Sequence, residues 1–217
     1  MRWFGLAARE GSRASLVAVL FALFARTFVV QAFQIPTPSM EPNLLIGDHV
    51  VVDKLIYTGA AWWLPQREVR RGDVVVFRAP DDPDRAYVKR CLGLAGDRIE
   101  IVNKRLLVNG EERDEAGYVF HSDPRTYPAA ATLPDSLRLR DNLGPLTVPP
   151  DGLFCLGDNR DNSKDSRFWG SVPRSAVRGR AVLVYWSAEP ATDSSLWSGL
   201  RSLLSRTRWP RCFQAVR

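Results

Sequence analysis

The chain has 217 residues and a mass of 24.4 kDa, room for one sizeable domain with appendages. Its composition, 45% hydrophobic and 25% charged, argues against wholesale disorder, and no internal period or low-complexity tract suggests a repeat architecture. The net charge of +6 sits in the ends: residues 1–13 carry net +2 and residues 194–217 net +5, leaving the interior near −1. A domain that binds phosphates carries its excess charge on itself, so nucleic acid is disfavoured as a partner and an anionic membrane surface is favoured for the tails.

The first element is apolar. Residues 14–25, ASLVAVLFALFA, are uncharged, and after Arg26 the apolar character resumes as TFVVQAFQI. The stretch 14–35 approaches the roughly 20 residues a helix needs to cross a bilayer. Arg26 is costly inside a span unless its long side chain reaches an interface. Arg2, Arg9 and Arg13 place the N-terminus in the cytoplasm by the positive-inside rule. The expected organisation is a basic N-terminus (1–13), a single transmembrane anchor (14–33), an extracytoplasmic β-rich domain (34–190) and a basic amphipathic tail (191–217). Two competing readings are a cleavable signal peptide ending at Val30-Gln31-Ala32 and an ordinary buried helix.

Short β-like runs follow, separated by Pro, Gly and Asp. They are His49-Val50-Val51-Val52, Val74-Val75-Val76-Phe77, residues 86–94, residues 98–102, Leu106-Leu107-Val108, residues 153–156 and residues 181–186. Asn109-Gly110 after the fifth run predicts a two-residue hairpin. The pattern predicts a mainly β, antiparallel fold. Residues 54–70, with Trp62 and Trp63, and the proline-rich 111–150 read as irregular. The two tryptophans suit a lipid interface or a corner of the core. Leu196, Leu200, Leu203 and Leu204 recur at helical spacing in the tail, which suits lipid contact or packing on the domain.

Some chemistries lack support. The only histidines, His49 and His121, fall in no serine-protease context. No cluster of His, Cys and carboxylates suits a metal, and no Gly-rich loop cradles phosphate. Cys91, Cys155 and Cys212 are too scattered for a disulfide framework and read as small buried residues. No cofactor is implied.

Three segments stand out: Pro36-Thr37-Pro38-Ser39-Met40-Glu41-Pro42 after the anchor, Tyr87-Val88-Lys89-Arg90-Cys91-Leu92-Gly93, and GDNRDNSKDSRFWG from Gly157 to Gly170. Taken singly, each has a bland reading: a rigid turn, a lysine facing solvent, a polar loop. In this order they resemble the type I signal peptidase family, membrane-bound Ser/Lys enzymes that remove signal peptides from exported proteins. The likeness runs from the anchor through residues 35–52, 72–80, 87–97 and 143–173.

The resemblance implies roles. Ser39 matches the nucleophile and Lys89 the general base. Thr37 matches a hydroxyl that helps the Ser39 N–H hold the oxyanion, and Ser163 a hydroxyl that orients the lysine. Asp158, Arg90, Asp165 and Arg167 match an ion-paired framework. Phe33, Ile35, Met40, Leu44, Val50, Val76, Tyr87 and Val88 match apolar positions lining shallow pockets for small side chains. The implied partners are signal peptides of preproteins and membrane lipid, the implied specificity is Ala-x-Ala, and the implied location is the outer face of a bacterial inner membrane.

The chemistry is coherent. A free lysine, with pKa about 10.4, is protonated at neutrality and useless as a base, and burial can lower that value by several units. Neutral Lys89 would then accept the Ser39 proton. One departure is Pro38, where relatives commonly carry Gly or Ser; it fixes φ and removes an N–H. Two alternatives are another Ser/Lys peptidase of the self-cleaving repressor type, against which the apolar anchor argues, and a membrane-tethered binding or assembly module with a degenerate site.

Overall fold

The computed structural model describes residues 15, 17, 19, 30–57, 67–80, 82, 84–190 and 205–216. The larger sheet contains β1 (Val30–Gln34), β2 (Asp48–Asp53), β3 (Val74–Arg78), β4 (Ala86–Gly93), β9 (Gly152–Leu156), β10 (Val172–Pro173), β11 (Val177–Ser187) and β12 (Gln214–Ala215). Its order is β1-β2-β11-β3-β4-β9-β10, with β12 also on β11. The smaller sheet, ordered β7-β6-β5-β8, contains β5 (Arg98–Val102), β6 (Arg105–Val108), β7 (Glu111–Glu112) and β8 (Leu143–Thr147). Every strand pair is antiparallel, as the sequence pattern predicts.

Burial explains the two kinds of strand sequence. In β3, Val74 and Val76 pack into one core cluster while Val75 and Phe77 pack into another, so both faces are covered and the strand is apolar throughout. In β2 buried and half-buried residues alternate, as one-sided packing requires. The smaller sheet closes its own core around Ile99, Ile101, Leu106 and Val108, joined by Phe154 and Leu156. Asn109 and Gly110 both adopt positive φ, 56° and 85°, forming the predicted turn between β6 and β7.

Several boundaries differ from the sequence reading. Nearly all of the expected anchor lies outside the described residues; residues 15, 17 and 19 are helical, and no described helix is long and apolar enough to cross a membrane. Residues 30–33 belong to β1, pairing with β2 from Val30↔Asp53 to Gln34↔His49, so the sheet begins four residues ahead of the expected boundary. Within the irregular 111–150 the structure has a helix, α1 (Asp135–Asp141), and β8. Its Gly144-Pro145 reads as a turn, but an edge strand tolerates proline. Trp62, Trp63 and the four tail leucines lie outside the described residues. Residues 205–216 fold back on the domain: β12 pairs with β11, and Arg211 reaches Asp48.

Candidate active site

Ser39 sits in a single 3-10 turn, Pro38–Met40, between β1 and β2. Pro38 occupies the first position of the turn, where a missing N–H costs nothing, and its carbonyl accepts from Glu41 N. Two further bonds hold the turn from 120 residues away: Asn159 N donates to Ser39 O (3.1 Å) and Asn159 Nδ2 to Pro38 O (3.2 Å). Proline stiffens the segment from within and Asn159 pins it from outside.

Lys89 projects from the middle of β4 on the face shared by Tyr87 and Cys91. It is 2% exposed, and its Nζ lies 2.5 Å from Ser39 Oγ. The solvent-facing reading of this lysine is thereby overturned. Burial pushes its pKa down to about 8; Asp165 opposes that shift and Arg167 supports it. Nζ also lies 5.7 Å from the centre of the Tyr87 ring, which stacks on Trp169. Thr37 Oγ1 is 3.3 Å from Ser39 Oγ. Neither histidine joins this group: His49 stacks on Trp186, and His121 faces Asp161.

The polar framework is buried and paired. Arg90 forks onto Asp158 (2.8 and 2.7 Å) and caps the Gly72 carbonyl (2.9 Å). Arg167 forks onto Asp165 (2.9 and 2.8 Å) and ties down the carbonyls of Arg140 and Arg160. Burial alone would raise the Asp165 pKa, but Arg167 and the Gly157 N–H hold it below its ordinary value. The 3-10 turn Arg160–Asn162 and the short helix α2 (Ser166–Trp169) carry this loop, and Asp165 caps α2 by accepting from Arg167 N. Gly157 is obligatory by space: a Cβ there would lie 2.2 Å from Ser163 Oγ and 2.5 Å from Ser39 O. Ser163 is thus beside the nucleophile, but among the described residues its buried Oγ has no hydrogen-bond partner, and the bond to Lys89 implied by the resemblance is not formed.

A cavity of about 390 Å³ opens beside Ser39. Phe33, Ile35, Met40, Tyr87 and Val88 line it, with Gln34, Pro36, Thr37, Arg85 and Ala86 completing the wall. Leu44, Val50 and Val76 do not line it. They are packed behind it in the core cluster shared with Ile35 and Met40, because their strand and loop positions point into the domain. β4 uses Ala86–Lys89 to pair with β3 on one side, whereas β9 pairs only from Arg90 onward. Among the described residues, no strand of this sheet therefore pairs with the remaining edge of residues 86–89.

Sequence reasoning misses three groups. Asn159 lies inside a recognised motif, so its amide had a signal. Asn43 holds Asp158 (2.9 Å) and the Tyr118 carbonyl (2.6 Å), and Glu115 forks with Arg160. Their positions in irregular segments carry no signal. Among the described residues no three His, Cys, Asp or Glu side chains are grouped to hold a metal.

Comparison with known proteins defines the class first: the chain is a serine peptidase, a hydrolase of peptide bonds. It belongs to the family described as signal peptidase, peptidase S26, which it matches over residues 8–186. It is 36% identical to a signal peptidase I of Leptolyngbya laminosa, over 82% of this chain and 79% of that one. Against a signal peptidase I of Pseudomonas fluorescens the identity is 36%, covering 80% and 71%. Against that of Aquifex aeolicus it is 31%, covering 79% and 81%.

Proposed function

We propose that this chain removes N-terminal signal peptides from exported preproteins, with Ser39 as nucleophile and Lys89 as general base. The observation that carries the reading is the 2.5 Å approach of a buried lysine amine to the serine hydroxyl. A charged Lys89 donates to Ser39 Oγ. Once neutral, it accepts the hydroxyl proton as Oγ attacks the scissile carbonyl. The protonated amine passes that proton to the departing amine, and the acyl group remains on Oγ. Lys89 then takes a proton from water, which attacks the ester, and passes that proton to Ser39 Oγ as the ester bond breaks and the signal peptide leaves with a new C-terminal carboxyl group.

Thr37, next to the nucleophile, supplies with the Ser39 N–H the donors for the oxyanion. Arg90 with Asp158 and Arg167 with Asp165 hold β4 and the 157–170 loop in register, and Ser163 lies beside the nucleophile turn. The substrate adds as an extended segment between residues 33–37 and the free edge of residues 86–89. The half-buried apolar walls there admit small side chains, which accounts for cleavage after Ala-x-Ala. The apolar N-terminal stretch anchors the chain in the bacterial inner membrane with the N-terminus cytoplasmic, and the domain works on the extracytoplasmic side.

The test is cleavage of an Ala-x-Ala preprotein by the detergent-solubilised full chain, mapping the new N-terminus. Wild type is expected to cut after the final alanine, and Ser39→Ala and Lys89→Ala to lose at least about a thousandfold in rate. Cleavage by both variants near the wild-type rate would remove these assignments, and no cleavage by folded wild type would remove the reaction.

A further inference from the structure

The segment 205–216 lies beyond the stretch that matches the family, yet it grips the loop that leaves the nucleophile turn. Its attachment to the sheet is regular: Gln214 and Ala215 pair with Val184 and Leu183, and Val216 N donates to Val182 O (3.0 Å). From this strap two arginines reach residues 43–48. Arg208 Nη2 donates to Ile46 O (3.0 Å). Arg211 donates from Nε and Nη2 to the fully buried Asp48 carboxylate (3.2 and 2.5 Å), and from Nη2 to Asn43 O (2.9 Å).

Asn43 faces the other way with its side chain. Its Nδ2 donates to Asp158 Oδ2 (2.9 Å) and to Tyr118 O (2.6 Å). Asp158 in turn accepts from Nε and Nη2 of Arg90, and Arg90 follows Lys89 on β4. Leu44 N donates to Met40 O (2.8 Å), so the same loop is tied directly to the nucleophile turn. A continuous set of hydrogen bonds thus runs from Arg211 through Asn43 and Asp158 to the strand bearing the base.

We infer that Arg211 is a positioning residue of the peptidase reaction: by fixing the Asn43 backbone it sets Asp158, and through Arg90 the direction of the Lys89 amine. The inference rests on the proposed function. It assigns a share in catalysis to the C-terminal strap, which lies outside the matched residues 8–186. The groove is lined by residues 33–37, 39–40 and 85–88, none of which is hydrogen-bonded to Arg211, so the effect falls on the chemical step and leaves binding unchanged.

Arg211→Ala leaves the buried Asp48 with only the more distant Arg208 (3.7 Å) as a cation and risks unfolding, so the informative variant is Arg211→Lys. A lysine amine ends one bond short of Nη2. It keeps a cation for Asp48 but loses the bond to Asn43 O. Asn43→Ala breaks the relay one step further on without disturbing Asp48. Both variants and their double mutant are assayed in the full chain for preprotein cleavage, with thermal unfolding measured in parallel. The expected result is a roughly tenfold fall in kcat for each single variant, with KM within about twofold of wild type. The double mutant falls no further than the worse single, because both act on one path. A kcat for Arg211→Lys within twofold of wild type overturns the inference, as does a double mutant whose losses multiply. Failure of wild type to cleave refutes the reaction itself, a separate outcome from normal cleavage by every variant.

Discussion

Replacing Lys89 by methionine, close in shape and unable to carry charge, is expected to make the protein more stable and inactive. The amine titrates at about 8 when folded, against 10.5 for the exposed group. At pH 7 both states are protonated, and the folded one holds a desolvated cation. The gap corresponds to about 3 kcal/mol of destabilisation in the wild type. The folded pKa lies below the unfolded one, so this cost is complete below pH 8. It is relieved as pH rises toward 10.5, where the unfolded chain loses its proton too; at pH 10 about 1 kcal/mol remains. Methionine also forfeits the hydrogen bond to Ser39, about 1 kcal/mol. The variant should therefore be more stable than wild type by about 2 kcal/mol at pH 7 and equal to it near pH 10. Urea unfolding of the full chain in one detergent, followed by tryptophan fluorescence at both pH values, reads the difference. A Lys89→Met protein less stable than wild type at pH 7, or a difference that ignores pH, would refute the claim that burial creates the base.

Two further outcomes follow from the same geometry. Because only the neutral amine can accept the Ser39 proton, kcat/KM should be half-maximal near pH 8 and fall about tenfold for each pH unit below it; a rate that climbs below neutrality contradicts a lysine base. Gly157→Ala puts a methyl 2.5 Å from Ser39 O and 2.2 Å from Ser163 Oγ, so the nucleophile turn must move by several tenths of an ångström. Its kcat/KM should drop about a hundredfold while circular dichroism stays that of wild type, and near-normal turnover would show that the turn is free to adjust.

The strands were legible because their cause is local. Alternation in β2, the continuous apolar run of β3 and the Asn109-Gly110 turn each follow from backbone geometry and one-sided or two-sided burial. β1 and β8 were not, since hydropathy cannot separate the end of an apolar anchor from an edge strand, and Pro145 looks like a break until its edge position is known. The candidate site was legible as a set of residues, because Ser39, Lys89 and the 157–170 loop lie in motifs specific enough to carry a resemblance. Which of the apolar residues form the groove was not legible. Leu44, Val50 and Val76 differ from Ile35 and Met40 only in facing the core away from the cavity.

What the sequence determines by itself is the inventory: an apolar N-terminal stretch, an antiparallel β domain, a serine, a lysine and a loop dense in paired charges. What only the tertiary structure decides is the chemistry of that inventory. A lysine becomes a base through the solvent it loses and the charges around it. The neighbours responsible, Asp165 and Arg167, and the serine it serves come from segments 76, 78 and 50 residues away in the chain. The same holds for Asn43, Asn159 and Arg211, whose hydrogen bonds exist only because folding brings the nucleophile turn, the polar loop and the C-terminal strap together. Desolvation and hydrogen bonding act through space, and distance in space is the one quantity that spacing along a chain does not contain.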